Sequence, residues 1–169
     1  MATEQDRHFM AAALIEAKAA LTAGEFPVGC VLVHDGEIVA RGRRHNSQGE
    51  AANELDHAEI IALRQLFATQ PELDRKRITV YSTMEPCLMC FSTLLLNNIQ
   101  TMVYAYEDVM GGGTNLQLAE LLPLYQSMQP AITPHVMREE SLELFKQFFA
   151  DPRQAYWQGS MLAQYTLHQ

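Results

Sequence analysis

The sequence predicts an α/β protein, a three-layer α/β/α sandwich around a central mixed sheet of five strands. Two observations carry that expectation. Short apolar, β-branched runs alternate with stretches of three-to-four periodicity, the pattern of strands connected through helices. The first two runs are joined by a tight Asp-Gly turn, so the sheet opens with an antiparallel hairpin before the crossovers begin. At 169 residues the chain fits one domain over 1–169, large enough to bury a core without staples.

Phe9, Ala13, Ala17, Ala20 and Leu21 recur at helical spacing and predict an amphipathic helix from about Thr3 to Ala23, stopped by Gly24. After Pro27, Val28 to Val33 reads as a buried strand, His34-Asp35-Gly36-Glu37 as the turn, and Ile38 to Gly42 as the returning strand. Cys30 is a core residue in this reading and His34 a turn residue. Arg41-Gly42-Arg43-Arg44-His45-Asn46 follows; its arginines are either a solvated strand end or a local anion site for a substrate phosphate. Asp56 is placed to cap a helix from about His57 to Thr69, with Ile60, Leu63, Leu66 and Phe67 facing inward.

Ile78 to Thr83 is the third strand, and a helix opening at Cys87 reaches about Asn98. Met102 to Tyr106 is the fourth strand. Glu107 to Asn115, with Gly111-Gly112-Gly113, reads as a flexible loop; it lacks the lysine and the spacing of a phosphate-binding P-loop. A short helix is expected over Leu116 to Tyr125 and a fifth strand over Ile132 to Met137. Glu139 to Ala150 is an amphipathic helix, and Pro152 starts a last one with Tyr156, Trp157, Leu162 and Tyr165 on its apolar face.

Composition narrows the function classes. The formal net charge is −8, which disfavours gripping a phosphate backbone unless a local patch reverses the sign. Three cysteines are not a disulfide framework and fit a reducing cytoplasm. Met1 to His8 is polar, unlike a secretory signal, and no apolar run reaches the roughly 18 residues of a membrane span.

Two short motifs carry the chemistry: His57-Ala58-Glu59 and Pro86-Cys87-Leu88-Met89-Cys90. One His and two Cys make a tetrahedral ligand set for Zn²⁺ that leaves the fourth position open, as a catalytic rather than a structural site does. Cys87 and Cys90 share one side of a first helical turn, where the helix dipole favours thiolates. Glu59 follows the His closely enough to work on a water in the open position without binding metal. A Cys-x-x-Cys alone also fits thiol redox chemistry or half of a zinc ribbon, but a ribbon needs a second pair and Cys30 is single. A non-catalytic zinc-binding protein is the other alternative, and Glu59 would be superfluous there.

In this order, His-x-Glu and then Pro-Cys-x-x-Cys, the motifs match the signature of zinc nucleobase deaminases. The chain resembles the cytidine deaminase-like superfamily, most closely its tRNA-adenosine and guanine deaminase branch. The likeness rests on Pro27-Val28-Gly29, His57-Ala58-Glu59, Glu85 to Cys90, and the helix from Glu139-Glu140-Ser141 to Phe148-Phe149. It implies His57, Cys87 and Cys90 as zinc ligands, Glu59 as the catalytic proton shuttle, and Asn46 as a base contact. It also implies a homodimer and a hydrolase acting on C–N bonds, releasing ammonia from a nucleobase. The substrate is either adenosine in tRNA or a free base or nucleoside such as guanine or cytidine. The chain departs from the tRNA enzymes in three places. Glu54-Leu55-Asp56 stands for Pro-Thr-Ala, the bulky Phe91 follows the second Cys and is expected to reshape the pocket, and an uncharged aromatic tail replaces a basic one.

Overall fold

A computed structural model describes residues 2–169. Its sheet has five strands: β1 (Gly29–His34), β2 (Glu37–Arg43), β3 (Ile78–Met84), β4 (Thr101–Tyr106) and β5 (Ala131–Thr133), in the order β2-β1-β3-β4-β5. β1 is antiparallel to both β2 and β3, whereas β3, β4 and β5 run parallel, so the sheet is mixed as expected. The hairpin turn is built by Asp35 at φ 51° and Gly36 at φ 84°, the two left-handed positions that an Asp-Gly pair supplies for a type I′ turn.

Alternation along the strands sends side chains to two cores. Cys30, Leu32, Val80 and Met102 face α2 (Ala58–Thr69) and α3 (Leu88–Leu96). Val31, Val33, Tyr81 and Val103 face α1 (Glu4–Thr22) on the other side. The two glycines at the strand–helix contacts are forced by closeness. A Cβ on Gly29 would lie 2.2 Å from the Ala13 carbonyl oxygen of α1, and one on Gly42 would lie 2.1 Å from the Ala58 carbonyl oxygen of α2. Thr3 caps α1: its hydroxyl accepts from Asp6 N at 3.0 Å while the Asp6 carboxylate accepts from Thr3 N at 2.8 Å.

Several sequence expectations need correction. Asp56 does not cap α2; its carboxylate accepts instead from Asn46 and Asn53, and His57 holds the N-cap position. The inward face of α2 is Ala58, Glu59, Ala62, Leu63 and Leu66, rotated from the predicted stripe, and Phe67 is 37% exposed. The rotation follows from Glu59, a polar residue that the site draws inside. The helix expected over 116–125 is broken, because Pro123 restarts it: a single 3₁₀ turn at Leu118–Glu120 precedes α4 (Pro123–Gln126). β5 stops at Thr133 because Pro134 follows, and His135 (φ 64°) and Met137 (φ 55°) turn the chain left-handed before α5 (Arg138–Ala150). The last helix, α6 (Met161–Leu167), begins nine residues beyond Pro152, since Trp157 and Gly159 both have positive φ.

The Gly111–Gly113 segment is not free. Gly112 pairs with Cys87 in an isolated bridge, and Gly113 N donates to the Pro86 carbonyl at 2.9 Å. The buried Glu85 carboxylate accepts from Asp108 N at 3.1 Å, Thr114 N at 3.3 Å and the Thr114 hydroxyl. The loop is therefore a fixed wall rather than a lid.

Candidate metal centre and active site

Two helix N-termini meet at one point. Their N-cap positions are His57 and Cys87, residues that rarely serve as caps, and neither side chain bonds its own helix backbone. Each is thereby free to project beyond the helix end. Pro86, two residues past the end of β3, directly precedes Cys87 as the chain turns into α3, and Cys90 follows one turn on.

His57, Cys87 and Cys90 come together with all three ligand atoms within 4.8 Å of one another. Zinc bonds of about 2.3 Å to sulfur and 2.0–2.1 Å to nitrogen, meeting tetrahedrally, separate N from S by roughly 3.5 Å. The His57 Nδ1 atom lies 3.5 Å from both sulfurs. The residues present thus fit zinc in number, kind and spacing, and no fourth protein ligand joins them among the described residues. Glu59 sits beside the trio on the inner face of α2, only 3% exposed. One of its oxygens accepts from the Ser82 hydroxyl at 2.8 Å and the other from the Cys90 thiol at 3.4 Å.

The electrostatics of the cluster call for a cation. Burial raises the Glu59 pKa, partly offset by the neighbouring His57 and the Ser82 hydrogen bond. The hydrogen bond from Cys90 lowers the Cys87 pKa to about 4, with help from His57 and against burial. Cys90, donating that bond and buried, is pushed up. Burial depresses His57, yet the Cys87 thiolate and the Glu59 and Glu54 carboxylates win and carry it to about 9. Without a metal the imidazolium supplies the positive charge that so many acidic groups require; a divalent ion does so better.

His57, Cys87 and Glu59 open onto a cavity of 290 Å³, with Cys90 fully buried and outside its lining, a size suited to a small ring system. Phe26, Val28 and Met84 form an apolar wall, and the C-terminal segment closes another side with Tyr156, Trp157 and Leu162. Arg44, Glu54, Glu85 and Asp108 supply the polar part of the lining. None of these four was named individually as a site residue from the sequence, although Arg44 fell in the run read as a candidate anion site and Glu85 in the stretch that carries the family likeness. The signal available was Glu85 directly before Pro86, and an arginine run whose members looked alike.

The run separates in three dimensions. Arg41 and Arg43 pair with Glu16 of α1 at 3.8 and 3.6 Å. Arg44 is 2% exposed and donates to the backbone carbonyls of His45 and, at 2.6 Å, Asn53. The run does not assemble as a phosphate site. Asn46, the expected base contact, lies outside the cavity lining: its amide donates to Asp56 at 2.7 Å. Phe91 also stays out of the cavity and is fully buried in the core beneath it, so its bulk does not narrow the pocket.

Comparison with known proteins gives the site its context. Residues 3–106 match the cytidine and deoxycytidylate deaminase zinc-binding region. The chain is 36% identical over 112 residues to a tRNA-specific adenosine deaminase of Streptococcus pyogenes, covering 66% of this chain and 69% of that one. A tRNA-specific adenosine deaminase of Bacillus subtilis is 31% identical over 149 residues, covering 88% and 91%. Among solved structures, a chain from work on A-to-I editing by tRNA:A34 deaminases superposes with TM-score 0.66 at 30% identity, covering 81% of this chain and 98% of that one. The guanine deaminase of Nitrosomonas europaea superposes with TM-score 0.68 at 18% identity, covering 89% and 87%, and shares the fold.

Proposed function

Given that the chain belongs to the cytidine and deoxycytidylate deaminase zinc-binding family, and is accordingly a zinc-dependent hydrolase that deaminates a nucleobase, we propose that His57, Cys87 and Cys90 hold the metal and that Glu59 moves the protons. The observation that carries this is the pair of 3.5 Å Nδ1–Sγ separations with a buried carboxylate alongside.

When bound, zinc supplies a Lewis acid with an open position, which lowers the pKa of water to about 7. The chain's own residues do the rest. Glu59 takes one proton of the attacking water and passes it to the ring nitrogen beside the carbon under attack. It then takes the second from the hydroxyl now on that carbon and delivers it to the departing amino group, which leaves as ammonia. Burial pushes its pKa up from the ordinary carboxylate value, the direction that suits a group which must both accept and release a proton. The Ser82 hydroxyl fixes one of its oxygens and leaves the other beside the Cys90 sulfur at 3.4 Å.

The substrate we assign is adenosine within tRNA, supported by the relatives' 31% identity across 88% of this chain. The chain acts as one deaminase domain, in the cytoplasm, as a homodimer; exposed Leu55 and Leu88 beside the ligands offer the apolar surface a second copy would cover. Asn46 would reach a base only by releasing Asp56. A second reading, a free base or nucleoside, is favoured by the wall that Tyr156 and Trp157 build across the cavity.

The test is ammonia release from tRNA, nucleosides and free bases, with wild type and Glu59→Ala. Turnover of tRNA supports the first reading, and turnover of small molecules alone replaces it with the second. Glu59→Ala should keep its zinc and lose about 10²–10⁴-fold in kcat; retained turnover would remove Glu59 from the mechanism.

A further inference from the structure

Glu54 stands where His57 turns its far nitrogen. Its Oε2 atom is 3.2 Å from His57 Nε2, 2.9 Å from the Tyr156 hydroxyl and 3.5 Å from Arg44 Nη2. Three separate stretches of chain thus converge on one carboxylate oxygen. Two of its partners are themselves held. Arg44 is fixed by the His45 and Asn53 carbonyls, and the Tyr156 ring packs on Phe26 at 5.0 Å with the Arg44 guanidinium 5.6 Å over its face.

With Nδ1 turned to the sulfurs, a neutral His57 carries its proton on Nε2, and that N–H needs an acceptor to fix the tautomer and the plane of the ring. We propose that Glu54 is a positioning residue of the metal centre, orienting His57 through Nε2, and that Tyr156 couples the C-terminal segment to the metal through the same carboxylate. This rests on the reading of His57 as a ligand. It goes further because it draws on Tyr156, which lies beyond the 3–106 stretch that matches the family. Glu54 is 62% exposed, so water weakens its charge; the bracing comes from convergence on one oxygen more than from ion pairing.

Outer partners of metal-bound histidines are worth about 10–100-fold in metal affinity, and exposure puts Glu54 near the lower figure. The experiment measures zinc affinity of the full chain by chelator competition, and the visible spectrum of the cobalt-substituted protein. It compares wild type, Glu54→Ala, Glu54→Gln, Tyr156→Phe and His57→Ala. Glu54→Ala should bind zinc about 10-fold more weakly with a shifted cobalt band. Glu54→Gln, which keeps a neutral acceptor, and Tyr156→Phe, which frees the carboxylate, should show smaller losses in the same direction. If wild type binds zinc and loses it in His57→Ala while the Glu54 and Tyr156 variants match wild type in affinity and spectrum, the bracing role is overturned and the metal site stands. If wild type and His57→Ala bind zinc equally or not at all, the metal site itself is misread.

Discussion

Gly42 is pressed against the first turn of α2, the turn that carries His57 and Glu59. An added Cβ would meet the Ala58 carbonyl oxygen at 2.1 Å and Ala62 N at 2.6 Å, both backbone atoms that move only if the helix does. Gly42→Ala should therefore cost about 1–3 kcal/mol by overpacking, a fall in melting temperature of roughly 2–12 °C for a chain of this size. It should also weaken zinc binding by tilting His57. Calorimetry and metal content check both, and an unchanged melt would mean α2 does not seat where described. At this scale the proposed ligands were legible because His57 stands in a His-x-Glu tripeptide and Cys87 and Cys90 are spaced along one helix turn. Arg44, Glu54 and Asp108 were not, because what they touch depends on where loops return. Nothing local separates Arg44, which is buried, from Arg43, which reaches for Glu16 on the surface.

Between elements, Glu107 is the fastening. It directly follows β4 and binds Arg138 at the start of α5, with Nε at 2.8 Å, and the Tyr165 hydroxyl of α6 at 2.7 Å. Burial raises its pKa, but Arg138 and Tyr165 overcome that and carry it from 4.5 to about 2. A carboxylate depressed in the folded state stabilises above its unfolded pKa, and the contribution fades as pH falls toward the folded one. Glu107→Gln should accordingly be less stable than wild type at pH 7, and the gap should shrink between about pH 4.5 and pH 2. Urea midpoints across that range measure it; a pH-independent gap would mean the charge is immaterial. The long helices were readable from periodicity, since each buries one face, and the central strands from continuous apolar runs, since they are buried on both. The pieces that misled were short. Leu116 to Tyr125 and the stretch after Pro152 look helical in composition, yet Pro123, Trp157 and Gly159 set backbone angles that no apolar pattern reports.

For the whole molecule, the metal site draws on segments far apart in the chain, so nothing resembling it survives unfolding. An ion that binds only the folded state adds about 4 kcal/mol at a thousandfold excess over its Kd, or roughly 8–16 °C of melting temperature at this size. Stripping zinc with a chelator should lower the melt by that order and re-addition should restore it; coincident melts with and without metal would deny the ion any part in the fold. The mixed sheet covered on both faces followed from the alternation of strands and helices, whereas the strand order did not. Nor did the return of the tail over the cavity, because an uncharged aromatic stretch packs equally well in many places.

The chain has a single tryptophan, and it stands in the cavity wall, 45% exposed. Its indole makes the protein its own optical probe. Ultraviolet emission from that ring comes from the chamber and from nowhere else, so arrival of a stacking guest is visible without a dye.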